Sequence, residues 1–248
     1  LLGGHGLIGS KLAEQFIYFQ SNVTVLDINE KPKVKINKNY KFHMFDCTDF
    51  KVFEKKFIEI LNKYEPDVFI NCSYPFTHSW KFNTFKDIKF DYFVENINNQ
   101  LNSSIWLTKL AADFMKRKKI KGSIINVGSI YGLKAQDKNL YKKKSNELNF
   151  TYSAIKGSMI NFTRQAAAYY GANNIRINNI IAGGVKGHIA GKQKIQDNNF
   201  IKNYEKKTPL QRMANSDDIS GPIIFLSSDL SKYITGSNLV VDGGHTII

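Results

Sequence analysis

Short apolar runs rich in Val and Ile alternate with longer stretches of helical periodicity along the chain. Residues 23–27, 68–71, 123–127, 175–181 and 238–241 hold four to seven positions each, with β-branched side chains on both parities, the pattern of strands buried on both faces. Between them, residues 10–19, 50–63, 92–116, 152–170 and 216–227 place apolar residues at helical spacing. Each is long enough to cross over a parallel sheet. Strands that alternate with helices assemble as right-handed βαβ units. The pattern therefore predicts an α/β architecture, a doubly wound parallel sheet with helices on both faces.

Composition narrows this. At 248 residues and 42% hydrophobic content, one domain spanning residues 1–248 is expected, and no internal repeat or Pro/Gly/Ser-rich linker divides it. The opening Leu1-Leu2 stands directly before a glycine cluster that ordinarily follows a complete strand, so the first strand is expected to be truncated. No run of 18 apolar residues and no basic-then-apolar leader is present, and neither a membrane span nor a secretory signal is expected. Cys47 and Cys72 form no CxxC pair, which fits a reducing, cytoplasmic setting. The net charge of +14 is mostly lysine scattered among Asn and Ile, all with AT-rich codons. It reads as a solvated surface rather than a nucleic-acid interface, although it favours phosphorylated small molecules. His5, His43, His78, His188 and His245 lack ligand spacing, so no metal site is expected.

The chemistry begins at Gly3-Gly4-His5-Gly6-Leu7-Ile8-Gly9, between an apolar strand end and a helical pattern. In that context Gly3 serves a tight turn, Gly6 close approach of a pyrophosphate, and Gly9 close packing of helix on strand, with free helix N–H groups facing the phosphates. Asp27 ends the second predicted strand, where a carboxylate accepts from adenosine ribose hydroxyls and repels a 2′-phosphate. No arginine follows in Ile28-Asn29-Glu30, so NAD is expected ahead of NADP. The plain alternative for Asp27 is a helix or turn cap.

Tyr152-Ser153-Ala154-Ile155-Lys156 sets a phenol and an ammonium four residues apart, on one helix face. A tyrosine is a poor base at its ordinary pKa near ~10, but an adjacent ammonium favours the phenolate. Ser129, in Gly128-Ser129 at the end of an upstream strand, is placed to donate to a substrate oxygen. A Tyr and a Lys at this spacing also occur on ordinary surface helices.

Together the glycine loop, Asp27, Asp46, Ser129, Tyr152, Lys156, Asn178 and Val241-Asp242-Gly243-Gly244 resemble the short-chain dehydrogenase/reductase family over essentially the whole chain. The resemblance implies a single-domain Rossmann fold and an oxidoreductase that uses NAD, or less favourably NADP, on a small-molecule substrate. It implies cofactor contacts at Gly3, His5, Gly6, Leu7, Ile8, Gly9 and Asp27, at Asp46 and Cys47 beside the adenine, and at Asn71, Cys72 and Ser73, which stand in place of Asn-Asn-Ala-Gly. Further contacts are implied at Gly183 and at the Val185 backbone near the nicotinamide amide, with Lys156 on the nicotinamide ribose. It implies a homotetramer, or a homodimer, built on the long helices 92–116 and 152–170. Three positions depart from the pattern. Gln100, with Asn99 one step away, falls where the family carries a catalytic asparagine; Ala182 replaces a proline; and a polar insertion, 134–149, separates Ser129 from Tyr152 and is expected to border the substrate pocket. The run from Gly128 to Asp137 with that insertion resembles a narrower group, the flagellin modification protein A type. That implies a sugar-like substrate in amino-sugar or nonulosonic-acid surface-glycan biosynthesis; the alternatives are a 3-oxoacyl or simple secondary-alcohol substrate, or a non-catalytic NAD-binding scaffold.

Tyr74, His78, Trp80 and His188 fall in segments approaching the carboxyl edge of the sheet, as substrate contacts or as ordinary loop packing. Residues 187–207 are polar with a helical second half, suiting a mobile lid or a static excursion.

Overall fold

A computed structural model describes residues 1–30, 37–140, 148–187 and 196–248. The strands are β1 (Val23–Asp27), β2 (Tyr40–Met44), β3 (Val68–Asn71), β4 (Ser123–Ser129), β5 (Arg176–Ala182) and β6 (Asn238–Val241). All pairings are parallel, β1 with β2 and β3 through β6 in order. Leu2 joins the two groups by bridging Leu26 on one side and Asn71 on the other, with its N–H donating to the Ile70 carbonyl at 2.9 Å. The strand order β2-β1-Leu2-β3-β4-β5-β6 reverses direction at the glycine loop, the place where open α/β sheets bind ligands.

Period-two alternation sends successive strand residues to opposite faces. Ile124 and Ile177 pack with α2 (Phe53–Tyr64), α4 (Ser103–Lys118) and α5 (Tyr152–Tyr170) through Phe57, Leu107, Phe114 and Ala167. Ile125 and Ile180 pack against α1 (Leu7–Tyr18) and α7 (Ser216–Ser227) through Leu12, Ile219, Ile223 and Leu226. Both layers thus have an apolar core, and every strand delivers its last residue to one carboxyl edge. A cleft of about 810 Å³ lies between Val23, Phe57, Val68 and neighbouring residues and contains none of the expected site residues.

The strands expected at 23–27, 68–71 and 238–241 and the helices at 152–170 and 216–227 match the observed bounds. The helix expected over 50–63 starts at Phe53, the strands expected at 123–127 and 175–181 run over 123–129 and 176–182, and three further elements differ more. β2 escapes the apolar pattern because it is an edge strand of which only Tyr40 is buried. The helix expected over 92–116 is divided into α3 (Phe90–Asn96), a π-helical turn at Ile97–Asn102, and α4. Such a turn inserts a residue into the ladder without changing the apolar spacing much, and commonly sits at functional sites. The helix expected from Ser10 begins at Leu7, since Gly6 in extended geometry serves as its N-cap. The helical second half of the 187–207 segment is α6 (Asn198–Glu205). His188 and residues 141–147 of the insertion lie outside the described residues.

Candidate active site

The glycine loop is a close-packed cradle. Gly3 takes φ +73°, and a Cβ on Gly9 would stand 2.1 Å from the Gly3 carbonyl oxygen, so neither position accepts a side chain. Gly6 caps α1 without a side chain, which leaves the first-turn amides, those of Leu7, Ile8 and Gly9 among them, with no intrahelical acceptor. An N-terminus bare of capping groups fits a phosphate.

Asp27, 7% exposed, is held from two sides. Its Oδ2 accepts from the His5 N–H at 2.9 Å and its Oδ1 from the Asn29 N–H at 2.9 Å. The His5 ring is buried and stacked on Phe42. Its Nδ1 meets the Asn29 carbonyl and its Nε2 meets the Tyr40 hydroxyl at 2.6 Å. A carbonyl only accepts, so Nδ1 is the donor to Asn29, while Nε2 pairs with the hydroxyl of Tyr40, whose pKa is raised by burial and by Asp27. The loop and the 27–29 turn are thereby locked together. Asp46 follows β2, exposed, accepting from Thr48 N–H and Oγ1 at 2.8 and 2.7 Å. Beside it, Cys47 is buried, and burial ahead of the Asp46 charge pushes its thiol to about 11.

Asn71 ends β3 and its Oδ1 accepts from Ser73 N–H at 3.0 Å and Ser73 Oγ–H at 2.6 Å. Cys72 donates its N–H to the Leu2 carbonyl at 2.9 Å, and burial raises its thiol to about 12, against the opposing pull of Lys156. Asn71, Ser73, Gln100 and Lys156 line one small polar cavity of about 10 Å³, about the space of a single water. Gln100 is buried on the π-helical turn, its Nε2 donating to the Pro75 carbonyl at 3.1 Å. The Asn99 carbonyl accepts from Ser103 at 2.5 Å, and Asn99 does not line the cavity.

Tyr152 opens α5 and Lys156 follows one turn later, its Nζ 5.7 Å from the Tyr152 ring centre and donating to the Val127 carbonyl at 3.1 Å. Burial lowers the Lys156 ammonium to about 8, with Cys72 opposing. Ser129, buried at the end of β4, accepts from the Tyr131 N–H at 3.2 Å, and Tyr131 packs edge-on to Tyr152 with centroids 6.2 Å apart. On the far strand Gly183 donates to the Val241 carbonyl at 2.9 Å, and Val185 bridges Ala214. Asn178 lies within the sheet, tying β5 to the 234–237 turn through Ile234 O and Ser237 N. The sheet edge therefore collects the glycine loop, Asp27, Asn71, Ser129 and Gly183 on successive strands, with Tyr152, Lys156 and Gln100 arriving from helices.

Three contributors are absent from the sequence expectations. Asn149 Oδ1 accepts from the Thr151 and Tyr152 N–H groups at 3.0 and 2.8 Å, capping the helix that begins with Tyr152; an asparagine just ahead of a helical run was the available signal. Gln196 clamps the Val185 loop, donating to Val185 O at 2.8 Å and accepting from Gly187 N at 3.0 Å. Tyr204 of α6 accepts from the Gly184 N–H at 2.5 Å. The last two pairings are tertiary and have no local signature.

Comparison with known proteins agrees with this layout. Residues 5–246 match a family model described as enoyl-(acyl carrier protein) reductase. The post-translational flagellin modification protein A of Campylobacter coli is 28% identical over 98% of this chain and 95% of its own length. An L-rhamnose 1-dehydrogenase (NAD(P)(+)) of Azotobacter vinelandii is 29% identical over 66% of this chain and 59% of its own. A crystal structure of a short chain dehydrogenase from Leptospira borgpetersenii with bound NAD+ superposes with a TM-score of 0.86 at 35% identity, covering 99% of this chain and 91% of that one. With its parallel sheet, its glycine loop and the Ser129, Tyr152 and Lys156 grouping, the chain belongs to the short-chain dehydrogenase/reductase family of oxidoreductases.

Proposed function

We propose that the protein moves a hydride between NAD and a hydroxyl or carbonyl carbon of a sugar or sugar-derived intermediate, in the making of a surface glycan. The observation that carries the reading is the pairing of Tyr152 with Lys156 across one turn of α5, at the edge where Ser129 also ends its strand. When bound, the nicotinamide supplies the site that accepts or releases the hydride. The backbone amides of Leu7, Ile8 and Gly9 would hold the pyrophosphate, Gly3, His5 and Gly6 would shape the loop beneath it with amides already committed to Leu26, Asp27 and Gly3, and Asp27 would take the ribose hydroxyls. Its anionic oxygens, fixed by His5 and Asn29, disfavour a 2′-phosphate, which supports NAD ahead of NADP. Asp46 and Cys47 flank the adenine; Asn71, Cys72 and Ser73 shape the floor; Gly183 and Val185 meet the nicotinamide end.

In oxidation the substrate hydroxyl gives its proton to the Tyr152 oxygen, while the Ser129 hydroxyl donates to the same substrate oxygen as charge develops there. The Lys156 ammonium, the dominant form below its pKa of about 8, stabilises the phenolate and binds the nicotinamide ribose. Gln100, across the small cavity from Lys156, holds the path by which the proton leaves. Reduction runs the same steps backwards. Similarity to flagellin modification protein A and to a rhamnose dehydrogenase supports the sugar-like substrate. We place the protein in the cytoplasm as a homotetramer or homodimer through α4 and α5, where Trp106 and Tyr169 are exposed.

The test is turnover of free and nucleotide-linked sugars followed by nicotinamide absorbance, wild type against Tyr152→Phe. Loss of the proton-transfer group lowers kcat about 10²- to 10⁴-fold with NADH affinity retained. Turnover confined to 3-oxoacyl thioesters or acyclic alcohols would reject the sugar assignment. NADH binding without turnover on any of them would leave a scaffold.

A further inference from the structure

We propose that Tyr74 and Trp80 form an aromatic wall on which the C–H face of a pyranose ring stacks, making these two side chains the determinants that select a cyclic sugar over an open-chain alcohol. The proposal rests on the reading of Tyr152 as the proton-transfer group and adds the substrate-recognition surface beside it.

Tyr74 follows directly on Asn71-Cys72-Ser73, so it leaves the sheet at the same edge as the hydride chemistry. Its ring centre lies 5.9 Å from that of Tyr152 at 77°, and the Trp80 ring lies 6.4 Å from Tyr152 at 86°. Tyr74 and Trp80 meet each other at 5.4 Å and 81°. Three rings meeting nearly at right angles make a corner rather than a stack. Both wall residues are only half-buried. Phe76 backs Trp80 at 5.3 Å, and Lys156 Nζ lies 5.8 Å from the Tyr74 ring centre, tying the wall to the catalytic helix.

The wall is rigidly mounted. Trp80 sits on a short 3₁₀ turn, Trp80–Phe82. Buried Thr77 donates to Asn96 Oδ1 at 3.1 Å, and Asn96 Nδ2 donates to the Tyr92 carbonyl at 2.7 Å. Buried Ser79 donates to the Glu95 carboxylate. On the other side the Phe150 N–H donates to the Asn83 carbonyl at 2.7 Å, two residues before Tyr152. A surface excursion fixed by fully buried polar groups on both flanks is a preorganised surface.

Its chemistry points to a ring with polarised C–H bonds and many hydroxyls. The negative ring face attracts such C–H groups, while Tyr and Trp keep polar handles at their rims. A linear acyl chain would call instead for aliphatic lining, whereas the rings that meet at this corner are aromatic.

The chain contains two tryptophans, Trp80 and Trp106; Trp106 is surface-exposed and bonded to Glu54. In the full chain carrying Trp106→Phe, Trp80 becomes the sole indole reporter. Its emission is followed, at saturating NAD+, against L-rhamnose, D-glucose, N-acetyl-D-glucosamine and acyclic 2,3-butanediol. The expected result is a saturable change with at least one pyranose and none with the diol. In the same background Tyr74→Ala weakens that sugar about 3- to 10-fold, the range of one aromatic contact; Tyr74→Phe restores it, and NADH affinity stays constant throughout. No response to any of the three sugars, a response to the diol alone or to diol and sugars alike, or an unchanged sugar affinity in Tyr74→Ala overturns the proposal. The parent reading fails separately, through full turnover in Tyr152→Phe or absence of NADH binding, neither of which depends on the wall.

Discussion

Replacing Asp27 by alanine separates the charge and the scaffolding contained in one carboxylate. Its oxygens accept from the His5 and Asn29 amides, both at 2.9 Å, and an amide left without an acceptor in such a place costs about 1–3 kcal/mol. Two of them, one partly solvated, lower stability by about 2–4 kcal/mol, a fall in Tm of about 4–16 °C for a chain of this size. Ribose hydroxyls donating to an ionised group contribute about 1.5–3 kcal/mol, so NADH affinity falls about 10- to 100-fold. NADPH behaves oppositely: a carboxylate about 5 Å from a phosphate charge at an effective dielectric near ~20 opposes it by about 3 kcal/mol. Deleting the carboxylate removes that repulsion, and the preference for NADH collapses. Asp27→Asn keeps an acceptor oxygen without the charge, and loses the preference at about half the stability cost. Calorimetric titration of both nucleotides into the three proteins, with thermal melts, reads all four quantities. If Asp27→Ala retains the wild-type ratio of NADH to NADPH affinity, the carboxylate does not select the cofactor and the argument is wrong.

Further tests follow from other positions. Burial holds the Lys156 ammonium at about 8 against an ordinary 10.5, a cost of about 3 kcal/mol. With the folded pKa depressed, that cost is present in full below pH 8 and is relieved as pH rises from about 8 to 10.5, where the unfolded chain binds the extra proton. The stability of wild type relative to Lys156→Met should therefore climb across that window in denaturant titrations, and a flat difference would refute it. Asn149→Ala removes the acceptor for the Tyr152 and Thr151 amides, at about 1 kcal/mol, and should lower kcat more than NADH affinity, with Asn149→Asp restoring both; unchanged kcat would deny Asn149 a positioning role. Cys47 and Cys72, raised by burial to about 11 and about 12, are almost wholly protonated at neutral pH. Iodoacetamide labelling of the native protein, read by mass spectrometry, should run at least about a hundredfold slower than that of the unfolded chain.

Much of the architecture is legible locally because the central strands β1, β3, β4 and β5 are buried on both faces. A run such as Ser123-Ile124-Ile125-Asn126-Val127 has no other stable placement than the middle of a covered sheet. Gly9 likewise carries its meaning in place, since its steric limit is set by Gly3 and Gly4 a few residues away, whereas Gly3 is crowded by Cys72 and Ser73 from the end of β3. The four-residue interval from Tyr152 to Lys156 needs only a helix to put both on one face. Edge strand β2 was not legible, because half its side chains face water and no apolar run marks it. Nor was the π-helical turn that buries Gln100, because a one-residue insertion in a helical ladder barely disturbs the periodicity.

The chain's own pattern thus points to a doubly wound sheet, a glycine loop and a phenol–ammonium pair, all of which are recorded in spacings between near neighbours. Tertiary structure alone decides what stands around them. It sets Asn71 and Lys156 on one small cavity with Gln100, locks His5 to Asn29 and Tyr40, and brings Tyr204 from α6 beneath Gly184. It also folds the segment after β3 back until Tyr74 and Trp80 meet Tyr152, more than seventy residues away in the chain. Such contacts are set by packing between separate elements, and packing energy depends on shapes that no local spacing records.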